Sequence, residues 1–199
     1  MKLYIIVIIA AMAIIAALNI VFETASVVPI VLAVFVCTAM QFTLDGAIAI
    51  LIRLTPDSWY GSDNSRFDVS DLEIKLYKRI GVRRWKDKVL ELGSLGGFSK
   101  KSVKEPNNPE YVEKFIVECN RGVVTHRLSY FIGFLAMLTF DDVRAFTVAI
   151  PVACVNLVLN VLPTIVLRFN TPKLKCLLSL LERRIAKEES DHDLEAKTV

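Results

Sequence analysis

LYIIVIIAAMAIIAALNIVF, residues 3–22, runs for twenty residues without a charged side chain. A helix of about 20 apolar residues crosses the ~30 Å hydrocarbon core of a bilayer. Lys2 precedes this run, as a basic residue precedes the apolar stretch of a signal peptide. The run is long, however, and no small-x-small cleavage site follows it before Glu23, so a retained transmembrane helix is the expectation.

Three further apolar blocks lie along the 199 residues. The second spans about Ser26 to Leu54 and is interrupted by Gln41, Thr43, Asp45 and Gly46, which allows one long tilted helix or two shorter pieces. The third spans Gly122–Phe140, with His126, Arg127 and Ser129 near its start. The fourth spans Val143–Phe169 and carries Pro151, Asn156, Asn160 and Pro163. Prolines are tolerated in membrane helices because neighbouring groups re-satisfy the backbone. Overall, 54% of residues are hydrophobic and the mean hydropathy is +0.48, against a soluble fold. The expected class is an all-α integral membrane protein with four transmembrane helices and a cytoplasmic helical and loop segment between helices 2 and 3.

The chain divides accordingly. Residues 1–54 hold helices 1 and 2, 55–121 form the basic segment with an amphipathic helix, 122–169 hold helices 3 and 4, and 170–199 form an amphipathic tail. The segment 55–121 contains 13 Lys or Arg residues and the tail six, whereas the short links carry Glu23 and Asp141-Asp142. The positive-inside rule then places the central segment and both termini in the cytoplasm.

The cysteines Cys37, Cys119, Cys154 and Cys176 show no CxxC pairing, which excludes a disulfide framework and a zinc site. No metal is expected elsewhere, since Glu118 and His126 lack a third ligand at diagnostic spacing. GxSxG, HExxH, GxGxxG and His-x4-Asp are all missing. The basic residues border membrane segments, so nucleic acid is not an expected partner. Nothing in the sequence fixes an oligomeric state.

Four features carry candidate chemistry. Between Lys75 and Lys101, nine basic residues face only Asp87 and Glu91. That density suits either anionic lipid headgroups or a phosphate-bearing donor, and Trp85 within it suits the membrane interface. Gly93–Lys101 combines three glycines with a hydroxyl and two lysines, as a flexible turn or a phosphate cradle would. Asp45 is an ionisable group in an apolar run, which marks either a functional site or an interfacial position. Finally, Glu118, Arg121 and Thr125 share one helical face, with His126 close to it. There the imidazole is a candidate general base, Glu118 its orienting partner and Arg121 a holder of negative charge. A juxtamembrane salt-bridge cluster is the alternative. Asn156 and Asn160, four apart on one face, act as interhelical glue or line a polar pocket.

LYKRIGVRRWKDKV (76–89) with GGFSKK (96–101), EYVEKFIVECNRGVVTH (110–126) and NVLPTIVLRFNTPKL (160–174), in that order, resemble the glycosyl-4,4'-diaponeurosporenoate acyltransferase family of small bacterial membrane proteins. The resemblance covers roughly residues 55–175. It places motif positions on Trp85, Lys86, Lys100, Glu118, Arg121, His126, Asn160, Pro163, Arg168 and Asn170. The chain departs from the family pattern at Val123, where a second acidic residue is usual, and in Leu167-Arg-Phe-Asn-Thr-Pro172, where Gln-Arg-Tyr-Asn-Arg-Pro is.

The resemblance implies transfer of a fatty acyl group onto a hydroxyl of a glycolipid or related lipid acceptor at the cytoplasmic face of the bacterial cell membrane. His126, Glu118 and Arg121 would be the catalytic group. Trp85, Lys86, Lys100, Asn160, Arg168 and Asn170 would bind substrate. No bound cofactor is expected; an acyl-thioester such as acyl-CoA is the co-substrate. The reading from a different class is a non-catalytic membrane scaffold or transport accessory that binds anionic lipid or a partner protein.

Overall fold

The computed structural model describes residues 2–23, 26–89 and 102–197. All its regular elements are helical among these residues: α1 (Lys2–Glu23), α2 (Val27–Arg53), α3 (Asp71–Arg79), α4 (Val82–Trp85), α5 (Pro109–Ile132) and α6 (Ile150–Lys197). Four helical runs are long and apolar enough to cross a membrane: Tyr4–Phe22, Val27–Arg53, Pro109–Thr139 and Ala145–Asp191. The second apolar block is therefore one helix, not two pieces, with Gly46 inside it unbroken. From Ile150 onward the fourth block and the tail to Lys197 are likewise one continuous helix of 48 residues.

The contacts separate two compact units. The first comprises residues 1–55, 88–90 and 122–165. Its core is built on Ile15, Val34, Cys37, Val148 and Val152, with Ala33, Ala136 and Ala149 between them. Apolar side chains gain little from leaving lipid, so small residues that admit close backbone approach hold such helices together. The chain enters α6 through a π-turn at Ala145–Ala149, just before Pro151.

The two prolines of this stretch explain how α1 binds α6. A proline has no N–H, so the carbonyl four residues earlier loses its helical donor. For Pro151 that carbonyl is Thr147 O, and Asn19 Nδ2 of α1 donates to it at 2.9 Å. For Pro163 it is Leu159 O, and the Tyr4 hydroxyl donates to it at 3.0 Å. An unsatisfied carbonyl in hydrocarbon is costly. The two polar side chains of α1 thus sit where α6 needs donors, and their order sets the two helices antiparallel.

The second unit comprises residues 56–87, 91–121 and 166–199. The Ser70 side chain accepts from Glu73 N, which caps α3, and Asp71 with Glu73 favours the positive end of the helix dipole. Gly81, at φ 66°, ends α3 in the left-handed region. Asn108 caps α5 by accepting from Tyr111 N, with Pro109 at the first helical position.

Candidate active site

His126 and Asn160 meet inside the first unit. His126 Nδ1 lies 2.7 Å from Asn160 Oδ1. Asn160 Nδ2 donates toward Asp45 Oδ2 at 3.1 Å and toward both the backbone and side-chain oxygens of Asn156, each at 3.1 Å. Asn156 Nδ2 reaches the other carboxylate oxygen of Asp45 at 3.4 Å. The four-residue spacing of Asn156 and Asn160 puts both amides on one face of α6, and the face they share is the one that Asp45 of α2 meets. Asn156 and Asn160 are buried, while His126 and Asp45 are half-buried. The pair of asparagines is therefore a polar cluster that includes an acid and an imidazole.

One turn along α2, Gln41 Nε2 donates to Gly133 O at 2.6 Å. A Cβ at 133 would strike Gln41 Oε1 and crowd Asn156 Nδ2, so those side-chain ends would have to shift.

Arg121 and Glu118 belong to the second unit. Arg121 Nη1 donates to Glu118 Oε1 at 2.9 Å, and Nη2 donates to Asp57. The guanidinium also stacks over the Tyr60 ring at 5.1 Å. Asn120 Nδ2 secures the same corner by donating to Tyr60 O at 2.8 Å. Glu118 contacts Arg121, and His126 Nδ1 contacts Asn160. Asp57 and Tyr60 carry no local signal in sequence, because they lie 64 and 61 positions from Arg121.

Arg168 is the other buried arginine. Its Nε and Nη2 grip the Glu73 carboxylate, Nη2 to Oε2 at 2.6 Å, and Nη2 also donates to Asp68 O at 3.0 Å. The Tyr77 hydroxyl donates to the same carboxylate. Burial, reinforced by the Glu73 charge, pushes the Tyr77 hydroxyl well above its ordinary range. Lys175 Nζ holds Asp68 Oδ1 at 2.6 Å.

The remaining sequence-derived positions are dispersed. Trp85 is half-buried and its indole N–H donates to Ile80 O at 3.2 Å. Lys86 pairs with the exposed Asp87 at 2.7 Å. Asn170 is half-buried. Lys100 and the glycine turn Gly93–Lys101 lie outside the described residues. Val123, where the resemblance led us to look for an acid, is fully buried. Among the described residues no group of three His, Cys, Asp or Glu side chains is placed to hold a metal ion.

The family model described as glycosyl-4,4'-diaponeurosporenoate acyltransferase matches residues 56–180, more than half of the chain. The chain belongs to that family. No curated protein and no solved structure matches it. The family is one of acyltransferases in carotenoid biosynthesis, and its four apolar helices make this member a membrane protein. The matched stretch includes His126, Asn160, Glu118, Arg121 and Arg168. Asp45, Gln41 and the α1 donors Tyr4 and Asn19 lie before it.

Proposed function

We propose that the protein transfers a fatty acyl group from an acyl-thioester such as acyl-CoA to a sugar hydroxyl of a glycosylated lipid, with His126 as general base. The family match supports the reaction class. The contact of His126 with Asn160 supports the choice of base, because an imidazole held at one ring nitrogen presents the other in a fixed direction. His126 Nε2 takes the proton of the acceptor hydroxyl as its oxygen attacks the thioester carbonyl carbon. The tetrahedral intermediate collapses with cleavage of the C–S bond. The imidazolium returns its proton to the departing thiolate, leaving an ester, a thiol and neutral His126.

Arg121 is engaged by Glu118 and Asp57, so in this proposal it shapes the polar corner around Tyr60. The attraction for the donor's phosphates falls to the exposed basic residues Lys75, Lys78, Arg79, Arg83 and Arg84. The same residues would favour an anionic leaflet at about 1 kcal/mol each near its surface. Membrane lipids and the lipid acceptor are the proposed partners. The four helices would cross the bacterial cell membrane with both termini and the basic segment on the cytoplasmic side, as the charge distribution favours.

The test is to express His126→Ala and Glu118→Gln with the acceptor glycolipid and assay lipid extracts for the ester. His126→Ala should lose product by on the order of 100-fold or more, the scale of general-base catalysis. Glu118→Gln, which keeps the hydrogen bond to Arg121 and loses the charge, should retain most of it. Full product from His126→Ala would remove the mechanism.

A further inference from the structure

We infer that Asp45 and Asn160 are positioning residues that hold His126 in its Nδ1–H tautomer, which makes Nε2 the basic nitrogen. The catalytic consequence rests on the acyl-transfer reading; the tautomer does not.

An amide has one end that only donates and one that only accepts. In Asn160 the end assigned as nitrogen is surrounded by oxygens: Asp45 Oδ2, Asn156 O and Asn156 Oδ1, all at 3.1 Å. Reversing the amide would set its carbonyl oxygen against all three, one of them a carboxylate. The orientation is therefore fixed by its surroundings, and Oδ1 must face His126. An oxygen without a hydrogen, 2.7 Å from Nδ1, requires the proton to be on Nδ1. Neutral imidazole in water prefers its proton on Nε2, so the cluster reverses the default. The Asp45 carboxylate adds a second effect. It polarises the Asn160 amide, making Oδ1 more negative and better able to stabilise the imidazolium that forms when Nε2 takes a proton.

This also explains an acidic residue in the apolar run of α2. Asp45 meets two amides of α6, and their combined donors make an ionisable group tolerable at that depth. Asn160 then acts through His126 and need not touch the acceptor.

The tautomer is directly observable because the chain has two histidines, His126 and His192. The full-length protein, labelled with 15N-histidine in phospholipid nanodiscs with His192→Gln as background, gives one imidazole to read. We expect a protonated, pyrrole-type Nδ1 and a pyridine-type Nε2 for neutral His126. Asn160→Leu should move the population to the Nε2–H form. A wild-type His126 protonated on Nε2 overturns the inference, as does an Asn160→Leu spectrum like the wild type. A parallel assay uses palmitoyl-CoA and glycosyl-4,4'-diaponeurosporenoate in liposomes. There Asn160→Leu should lower kcat by on the order of 100-fold and Asp45→Asn by about 10-fold, with KM little changed, as for residues that orient another group. Absence of transfer by the wild type would sink the acyl-transfer reading while the spectrum still decides the tautomer.

Discussion

Arg168 invites two incompatible expectations, and a double substitution separates them. The family resemblance suggests that it binds the acceptor headgroup or acyl carbonyl; the structure surrounds it with Glu73 and Asp68 O. Its side chain is 8% exposed and that of Glu73 is 22% exposed, so the pair is largely withdrawn from water. Removing one member of a buried ion pair costs about 3–5 kcal/mol, because the other charge is left without its partner. The residual exposure of Glu73 puts Arg168→Met at the lower end, near 3 kcal/mol. For a chain of this size that is a fall of about 6–12 °C in Tm at ~2–4 °C per kcal/mol. Replacing both partners, Glu73→Leu with Arg168→Met, removes the orphaned charge. It still leaves Asp68 O and the Tyr77 hydroxyl without a partner, at about 1 kcal/mol each. The double variant should therefore unfold nearer the wild type than Arg168→Met does, and adding Tyr77→Phe should recover more. The assay is thermal unfolding in detergent micelles beside acyl transfer measured below the lowest Tm. As a clamp, Arg168 loses activity only through stability, so the double variant regains it. As a substrate ligand, it leaves the double variant inactive however stable. An Arg168→Met protein that unfolds with the wild type, or a stable double variant without activity, refutes the clamp.

Two further cycles probe the first unit. Tyr4→Phe should cost about 0.6–1 kcal/mol in the wild type, the usual worth of a hydrogen bond inside a membrane protein. It should cost close to nothing with Pro163→Leu, which restores an N–H for Leu159 O; reversible unfolding in mixed micelles reads both. Gly133→Ala forces a Cβ against Gln41 and should cost about 1–3 kcal/mol, as overpacked interiors do. With Gln41→Ala the same change should become nearly neutral; equal cost in both backgrounds would mean that Gln41 is not what excludes the Cβ.

The helices were legible in the sequence because their signals are local. Twenty uncharged residues before Glu23 need no partner to read as a span. Gly46 was read as an interruption, yet α2 runs through it: in hydrocarbon a backbone group has no partner outside the helix, so one exposed glycine does not break it. The polar positions were legible as types and not as pairs. Asp45 stood out as an ionisable group in an apolar run, and Asn156 with Asn160 as a shared face, but their meeting joins residues more than 110 positions apart. Glu118 beside Arg121 was a local pattern and survives as a contact. Asp57, the other acid on Arg121, sits in a 3-10 turn whose sequence says nothing of α5. The prolines were read as tolerated; that Tyr4 and Asn19 supply what they remove depends on the pairing of α1 with α6.

The same pairings separate structure from chemistry. Arg168 pairs with Glu73 and Arg121 answers two carboxylates, Glu118 and Asp57; in both places the acid meets a guanidinium, which keeps its proton. Asp45 meets amides instead. Amides donate to a carboxylate without bringing an opposite charge to it, and Asn160 in turn contacts His126, an imidazole able to take or give a proton. Gln41 fastens α2 to Gly133 O, in the 3-10 segment that follows α5, without a charge. Asp45, one turn further along α2, instead meets Asn156 and Asn160 of α6, and Asn160 in turn meets His126.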